Sequence, residues 1–242
     1  MPDFTKRSFQ KELLDRDDIP FEDIKQNMKE LDSINTRLGG HKITIAGIEV
    51  LVKNIGLHSG NSIRICEIGC GGGDNMRVIQ KWCERKNIAA ILTGIDINPH
   101  CISFAQSRQE NKGIAFICSD YKAVTLEQNP DIIFSSLFCH HFTDEELVGM
   151  LKWCKKNSIA GFFINDLHRH PLAYYSIKWL TRIFSKSYLV KNDAPLSVLR
   201  GFSKKEIEGL LKSAAILNYS IKWKWAFRWL VCSLIINDKF ES

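Results

Sequence analysis

Apolar residues first recur at helical spacing, then give way to short apolar runs separated by amphipathic stretches. Phe21, Ile24, Met28 and Leu31 stand three and four residues apart, which predicts a helix. Leu38-Gly39-Gly40 ends it, because glycine accepts the left-handed cap. A second helix is expected from about 44 to 55, stopping at Gly56. The polar stretch 8–18 ahead of both is expected to be mobile. From Ser62 onward, strands are expected at 63–68, 90–96, 114–118, 131–136 and 159–164, with helices at 75–85, 101–110 and 144–154 between them. Such alternation predicts a Rossmann-like α/β fold with a doubly wound, mainly parallel sheet. Residues 171–190 interrupt it with an aromatic and basic helix-like insert. Ser203, followed three residues on by Glu206, forms a capping box for a helix over 203–214. The stretches 218–224 and 229–235 read as a terminal hairpin, which completes seven strands. Ordinary dinucleotide folds place a sixth parallel strand there.

A chain of 242 residues can bury one large core. The expected organisation is a helical cap over 1–60 and a nucleotide-binding domain over 61–242 with an insert at about 168–202, all one structural unit. No apolar run approaches the roughly 18–20 residues of a membrane-spanning helix. The N-terminus lacks a secretory apolar stretch, so a cytoplasmic location is expected. Eight cysteines stand in no Cys-x-x-Cys pair and are read as reduced, buried thiols, with no metal site. The net charge of +6 is mild and not blocked, so a nucleic-acid partner is not expected.

Candidate chemistry concentrates in Glu67-Ile68-Gly69-Cys70-Gly71-Gly72-Gly73-Asp74, directly after the first strand. Glycines let the backbone approach a ligand closely, and the helix opening near Asn75 aims free amides at it. A P-loop needs Gly-Lys-Ser/Thr at the end of the turn, and Gly73-Asp74-Asn75 has no such lysine. A dinucleotide fingerprint needs a third glycine where Asp74 stands, and an acid there repels a pyrophosphate. Glu67 and Asp74 suit a positively charged ligand instead. Asp96, closing the second strand, can accept hydrogen bonds from ribose hydroxyls, with Ile97 packing on a base.

With its acidic residue followed by Gly-x-Gly-x-Gly, the segment Glu67, Gly69, Gly71, Gly73 resembles the class I S-adenosylmethionine-dependent methyltransferases, specifically the small-molecule, quinone-biosynthesis type. The resemblance is good over 62–165 and through the hairpin. It implies S-adenosyl-L-methionine as cofactor and S-adenosyl-L-homocysteine as product. It also implies donor contacts at Cys70 and Asn75, at Asp120 and Tyr121 after the third strand, and at Ser136 in the fourth. Ser135-Ser136-Leu137-Phe138 departs from the Asn/Asp-Pro-Pro-Tyr/Phe pattern of base methyltransferases.

The implied acceptor is a small hydrophobic molecule, phenolic, polyketide-like or quinone-related. O-methylation is favoured; C-methylation and a noncatalytic nucleoside-binding module are the alternatives. His140, His141 and His168 are candidates for a general base or acceptor-orienting group. Tyr175 and Trp179 among basic residues are candidates for an acceptor lid, for a cover packed on its own core, or for weak contact with a membrane surface. Arg200 is a candidate for pairing with an acidic acceptor or with Asp193. The oligomeric state is not legible.

Overall fold

The protein is represented by a computed structural model that describes residues 2–16, 18–57 and 61–235. Seven strands, β1 (Ser62–Ile68), β2 (Ala89–Asp96), β3 (Ala115–Cys118), β4 (Ile132–Ser136), β5 (Gly161–Leu167), β6 (Tyr219–Lys224) and β7 (Arg228–Leu234), form one sheet in the order β3-β2-β1-β4-β5-β7-β6. The ladders joining β1 to β5 are parallel, and β7 runs antiparallel to both β5 and β6. The helices are α1 (Phe21–Arg37), α2 (Gly40–Ile55), α3 (Asp74–Arg85), α4 (Pro99–Ser107), α5 (Asp144–Asn157), α6 (Pro171–Phe184), α7 (Tyr188–Arg200) and α8 (Lys204–Ser213). Among the described residues, no helix is long and apolar enough to cross a membrane.

The two-residue period of the strands builds two cores. Ile63, Ile65, Ile132, Phe134, Phe163, Leu230 and Cys232 face α2 and α3, where Ile48, Leu51, Met76 and Ile79 meet them. Their alternates Cys66, Ile68, Ile133, Phe162, Trp229 and Val231 face α5 and α8, against Leu147, Met150, Leu151, Ile207 and Leu211. Because β4, β5 and β7 bury both faces, apolar runs rather than strict alternation mark them in the sequence. A smaller cluster of Ile24 and Met28 with Cys101, Phe104 and Leu189 packs α1 against α4 and α7. Seven of the eight cysteines are buried, and Cys118 is exposed.

Three expectations need correction. The stretch 8–18 is anchored: Glu12 is buried, a short 3₁₀ turn spans Leu13–Asp15, and the Leu13 and Leu14 amides donate to Asp193. The insert is two helices. Glu30 accepts from the Ser185 hydroxyl and from the Lys186 and Ser187 amides (3.0 and 3.1 Å), pinning the turn between α6 and α7. Strand β5 runs through Asn165 and Asp166 to Leu167, later than 159–164, because both polar side chains find buried partners.

Close approach fixes α2 on the sheet. A Cβ at Gly47 would stand 2.6 Å from the Phe163 ring, which is itself stacked on Phe134 at 4.8 Å. Gly47→Ala is therefore expected to lower unfolding stability by about 1–3 kcal/mol in urea denaturation. Gly149→Ala, at a position with nothing within 4 Å, is expected to be neutral or stabilising.

Candidate active site

Three glycines in the left-handed region reverse the chain at the end of β1: Gly69, Gly71 and Gly73 have φ of +72°, +49° and +75°. The Gly69 and Cys70 amides donate to the Ile95 carbonyl (2.8 and 3.1 Å), tying the turn to β2. A Cβ at Gly69 would run into the Phe138 ring, and one at Gly73 would stand 2.7 Å from Phe116. Phe138 is placed there by Leu137, whose φ of +53° costs a residue with a side chain about 1–2 kcal/mol.

Under the turn lies Glu67, 1% exposed. Its Oε1 accepts from Asn75 (2.9 Å), which in turn accepts from Thr44 (2.9 Å); its Oε2 has no hydrogen-bond partner among the described residues. Burial, reinforced by Asp74, raises the Glu67 carboxyl well above its ordinary range. Burial also raises Asp96. The Asp96 carboxylate accepts from the Gly71 amide (2.9 Å) and the Asn98 amide (2.9 Å), which holds it beside the glycine turn. Ile97, 67% exposed, stands at the open edge next to it.

Other expected donor contacts lie differently. Asp74 does not face a ligand as a free charge: its Oδ2 meets His41 Nε2 at 2.7 Å and accepts from Asn35. Burial opposes its charge, but His41 prevails and keeps its carboxyl below the ordinary range. Asp120 is exposed and accepts from the Lys122 amide, capping a 3₁₀ turn. The Tyr121 ring is buried edge-on against Trp153 under α5, and the Ser136 hydroxyl accepts from Asn165 (3.2 Å). Cys70 is buried, and burial pushes its thiol well up.

The exit of β4 carries a dense ionic cluster. His140 Nδ1 meets Asp166 Oδ1 at 2.7 Å, and its Nε2 is 3.5 Å from Glu12 Oε1; all three side chains are buried. Burial disfavours the imidazolium, but Asp166 and Glu12 outweigh it and raise His140 to about 9. His141 is more open, with Nδ1 3.1 Å from Asp15 and Nε2 3.7 Å from Glu12. Burial opposes ionisation of Asp15, yet His141 and Arg200 lower it to about 2. Glu12 with His140 and His141, and Asp32 with His41 and Asp74, bring metal-ligating atoms within 4.8 Å of one another. In both groups the histidine already pairs directly with a carboxylate.

Arg200 is a structural clamp, which corrects its reading as an acceptor contact or a partner of Asp193. Its guanidinium donates to the carbonyls of His140 (3.1 Å), His141 (2.9 Å) and Gln10 (3.0 Å) and to Asp15 (3.2 Å). His168 lies beyond β5, where Trp223 Nε1 donates to its Nδ1 (3.2 Å). A neutral His168 thus carries its proton on Nε2 and offers that nitrogen as a donor, not as a base. Burial lowers its pKa. Tyr175 and Trp179 are exposed on α6, Tyr175 near Phe4 at 6.4 Å.

Sequence reasoning missed Glu12, Arg7 and Arg228. Arg7 donates to Asp144 (2.6 Å) and to the Phe142 carbonyl (2.9 Å). Arg228, buried at the start of β7, donates to Asn35 (2.9 Å), and its Nη1 has no hydrogen-bond partner among the described residues. Burial lowers it to about 10. The only signal was a charged residue inside an apolar strand.

The His140 cluster has a pH signature. A raised folded-state pKa contributes stability that is complete below the ordinary value of 6.5 and is lost as pH rises through about 9. Chemical denaturation between pH 7 and 10 is expected to show stability falling, on the order of a few kcal/mol at most. Asp166→Asn, which removes the main charge partner, is expected to flatten that slope while lowering stability at pH 7.

Comparison with known proteins agrees with this geometry. Residues 65–157 match the family model described as a methyltransferase domain. Over 75 residues the chain is 36% identical to a malonyl-[acyl-carrier protein] O-methyltransferase of Bacillus cereus, a match that takes in 31% of this chain and 26% of that protein. The chain thus spans about a quarter of the length of that curated relative. Among solved structures, the plantazolicin methyltransferase BpumL superposes with a TM-score of 0.66 at 18% identity, covering 89% of this chain and 90% of that one. Human N-acetylserotonin methyltransferase gives a TM-score of 0.61 at 16% identity, over 90% and 57% of the two chains. In sequence the likeness to a methyltransferase domain spans residues 65–157, and over most of its length the chain has the fold of these solved methyltransferases.

Proposed function

We propose that this protein transfers the methyl group of S-adenosylmethionine to an oxygen of a small, apolar acceptor of phenolic, polyketide-like or quinone-related chemistry. The observation that carries the donor half is the buried, half-satisfied Glu67 beneath a turn of three left-handed glycines. A carboxyl disfavoured by burial and by a second acid gains from a cationic ligand. Arg228 supports the same reading. Its unpartnered Nη1 offers a donor to a carboxylate, as Glu67 Oε2 offers an acceptor to an ammonium, matching the two ends of an amino acid. Asn35 bonds both Arg228 and Asp74, and Asn75, the neighbour of Asp74, bonds Glu67. Asp96 would take the ribose hydroxyls and Ile97 the base. Glu67, Asp96, Arg228 and the glycine turn therefore fit the donor.

When bound, S-adenosylmethionine supplies a methyl group on a positively charged sulfur, already activated for in-line displacement. What remains for the protein is mostly positioning, which can contribute on the order of 7–11 kcal/mol. Where an acceptor hydroxyl must lose its proton, His141 is the suited group. It is partly open, and Asp15 orients its Nδ1. His140, an imidazolium held between two carboxylates, has no free lone pair for that task. Its role is to hold the turn bearing His141 through Asp166.

The Bacillus cereus relative, similar over 75 residues, is named for O-methylation, which supports an oxygen acceptor. The test is incubation of the purified protein with methyl-deuterated donor and a panel of phenols, hydroxyquinones and carboxylic acids, read by mass spectrometry. Transfer of the labelled methyl to an acceptor oxygen is expected, with S-adenosylhomocysteine formed in equal amount. His141→Ala is expected to lower kcat by about 10²–10⁴ with little change in donor KM. Label found on carbon would favour the C-methylation reading. Donor binding without turnover on any acceptor would favour a noncatalytic nucleoside-binding module.

A further inference from the structure

Helix α6 half-buries Tyr174, Ile177 and Leu180 and turns several other large side chains outward. Its fully buried side chains are Ala173 and Thr181. Leu172, Tyr175, Trp179 and Ile183, three and four residues apart, form one stripe in which each is at least half exposed, Trp179 at 63%. At 100° per residue that stripe lies opposite the buried face. Phe184, 72% exposed, ends the helix outside that stripe. A surface helix of a soluble domain normally turns such a stripe to the core. Contiguous exposed apolar surface of this kind marks an interaction site.

Charge selects the partner. From 167 to 192 the chain contains no acidic residue and carries Arg169, Lys178, Arg182, Lys186 and Lys191. Arg169 is spent inside the fold on Glu206 (2.8 Å). Lys178 and Arg182 are exposed on one flank of the apolar stripe, at helical positions next to Tyr175 and Trp179. Lys178 Nζ lies 5.6 Å from the Tyr174 ring, so its stem runs along aromatic surface. A large apolar stripe with an aromatic centre and a basic flank is what a helix lying in a lipid interface requires. A protein partner with an apolar groove would not call for a one-signed rim across a whole helix–turn segment, whereas anionic headgroups do.

We propose that the outer face of α6 docks this protein on an anionic lipid bilayer surface, with Leu172, Trp179 and Ile183 entering the interface and Lys178, Arg182 and Lys186 meeting the headgroups. The docking face stands whether or not the chain transfers methyl groups. Taken with the proposed methyl transfer, its placement has a consequence: α6 begins three residues after β5 ends, so docking holds the ligand-binding edge of the sheet near the lipid, where an apolar acceptor dissolves.

The test is co-sedimentation of the full chain with vesicles of phosphatidylcholine alone or with phosphatidylglycerol added. Binding to the anionic vesicles is expected to exceed binding to neutral ones about tenfold or more. It should weaken as salt rises and the Debye length shrinks to about 3 Å at 1 M. Trp179→Ser with Ile183→Ser is expected to abolish sedimentation, and Lys178→Glu with Arg182→Glu to erase the preference for anionic lipid. Both variants alter exposed residues, and circular dichroism checks that they fold. Absence of sedimentation by the native chain overturns the proposal, as does binding unchanged in both variants. It is also overturned if sedimentation velocity shows a dimer that Trp179→Ser dissolves while vesicles bind nothing, since the stripe is then a contact between copies of this chain.

Discussion

The burial of one carboxyl at the end of β1 constrains much of this molecule. Glu67 lies within the helix-covered face of the sheet, and its charge is tolerable there only with partners. Asn75 and Thr44 satisfy one oxygen from α3 and α2, which fixes both helix starts against the strand. The other oxygen has no hydrogen-bond partner among the described residues. The glycine turn follows from the same need for close approach. Phe138, Phe104 and Phe116 crowd Gly69, Gly72 and Gly73 so closely that side chains there would displace the aromatic frame. The Gly71 amide then secures Asp96, so a single turn aligns both acids of β1 and β2.

A second constraint sits across the sheet edge. The turn at 139–141 carries buried charge, and the molecule answers with partners from distant parts of the chain. Glu12 and Asp15 come from the N-terminal segment, Asp166 from β5, and Arg200 from the end of α7. Arg7 and Arg200 also take the turn's carbonyls. Breaking one member leaves an unpaired buried charge, which costs more than the pair itself contributes. The N-terminal segment is held both by these ion pairs and by Leu13 and Leu14 packed against the cluster of Ile24 and Leu189. Against this held turn, the outward stripe of α6 stands in contrast, because Leu172, Tyr175, Trp179 and Ile183 are each at least half exposed.

Local chemistry was legible in the sequence, and distant pairing was not. The glycine turn, the capping box of Ser203 and Glu206, and the terminal hairpin are written within a few residues, and each appears in the structure. The extent of β5 was misread because Asn165 and Asp166 look like a loop until Thr44, Ser136 and His140 are seen to satisfy them. The break between α6 and α7 was signalled by Ser187, which caps α7 by accepting from Val190, but its anchor on Glu30 lies more than 150 residues away. Arg200 drew attention as a cation before a capped helix, yet four internal acceptors consume it. Asp74 looked like a free flanking charge because His41, its partner, precedes it by a whole helix and strand.

The account rests on a donor pocket formed by Glu67, the glycine turn and Asp96. Isothermal titration calorimetry with S-adenosylhomocysteine tests it most directly. One molecule is expected to bind per chain, with affinity falling about tenfold, or ~1.4 kcal/mol, in Glu67→Gln. Absence of binding by the native chain, with NADH or ATP taken up instead, would contradict the account.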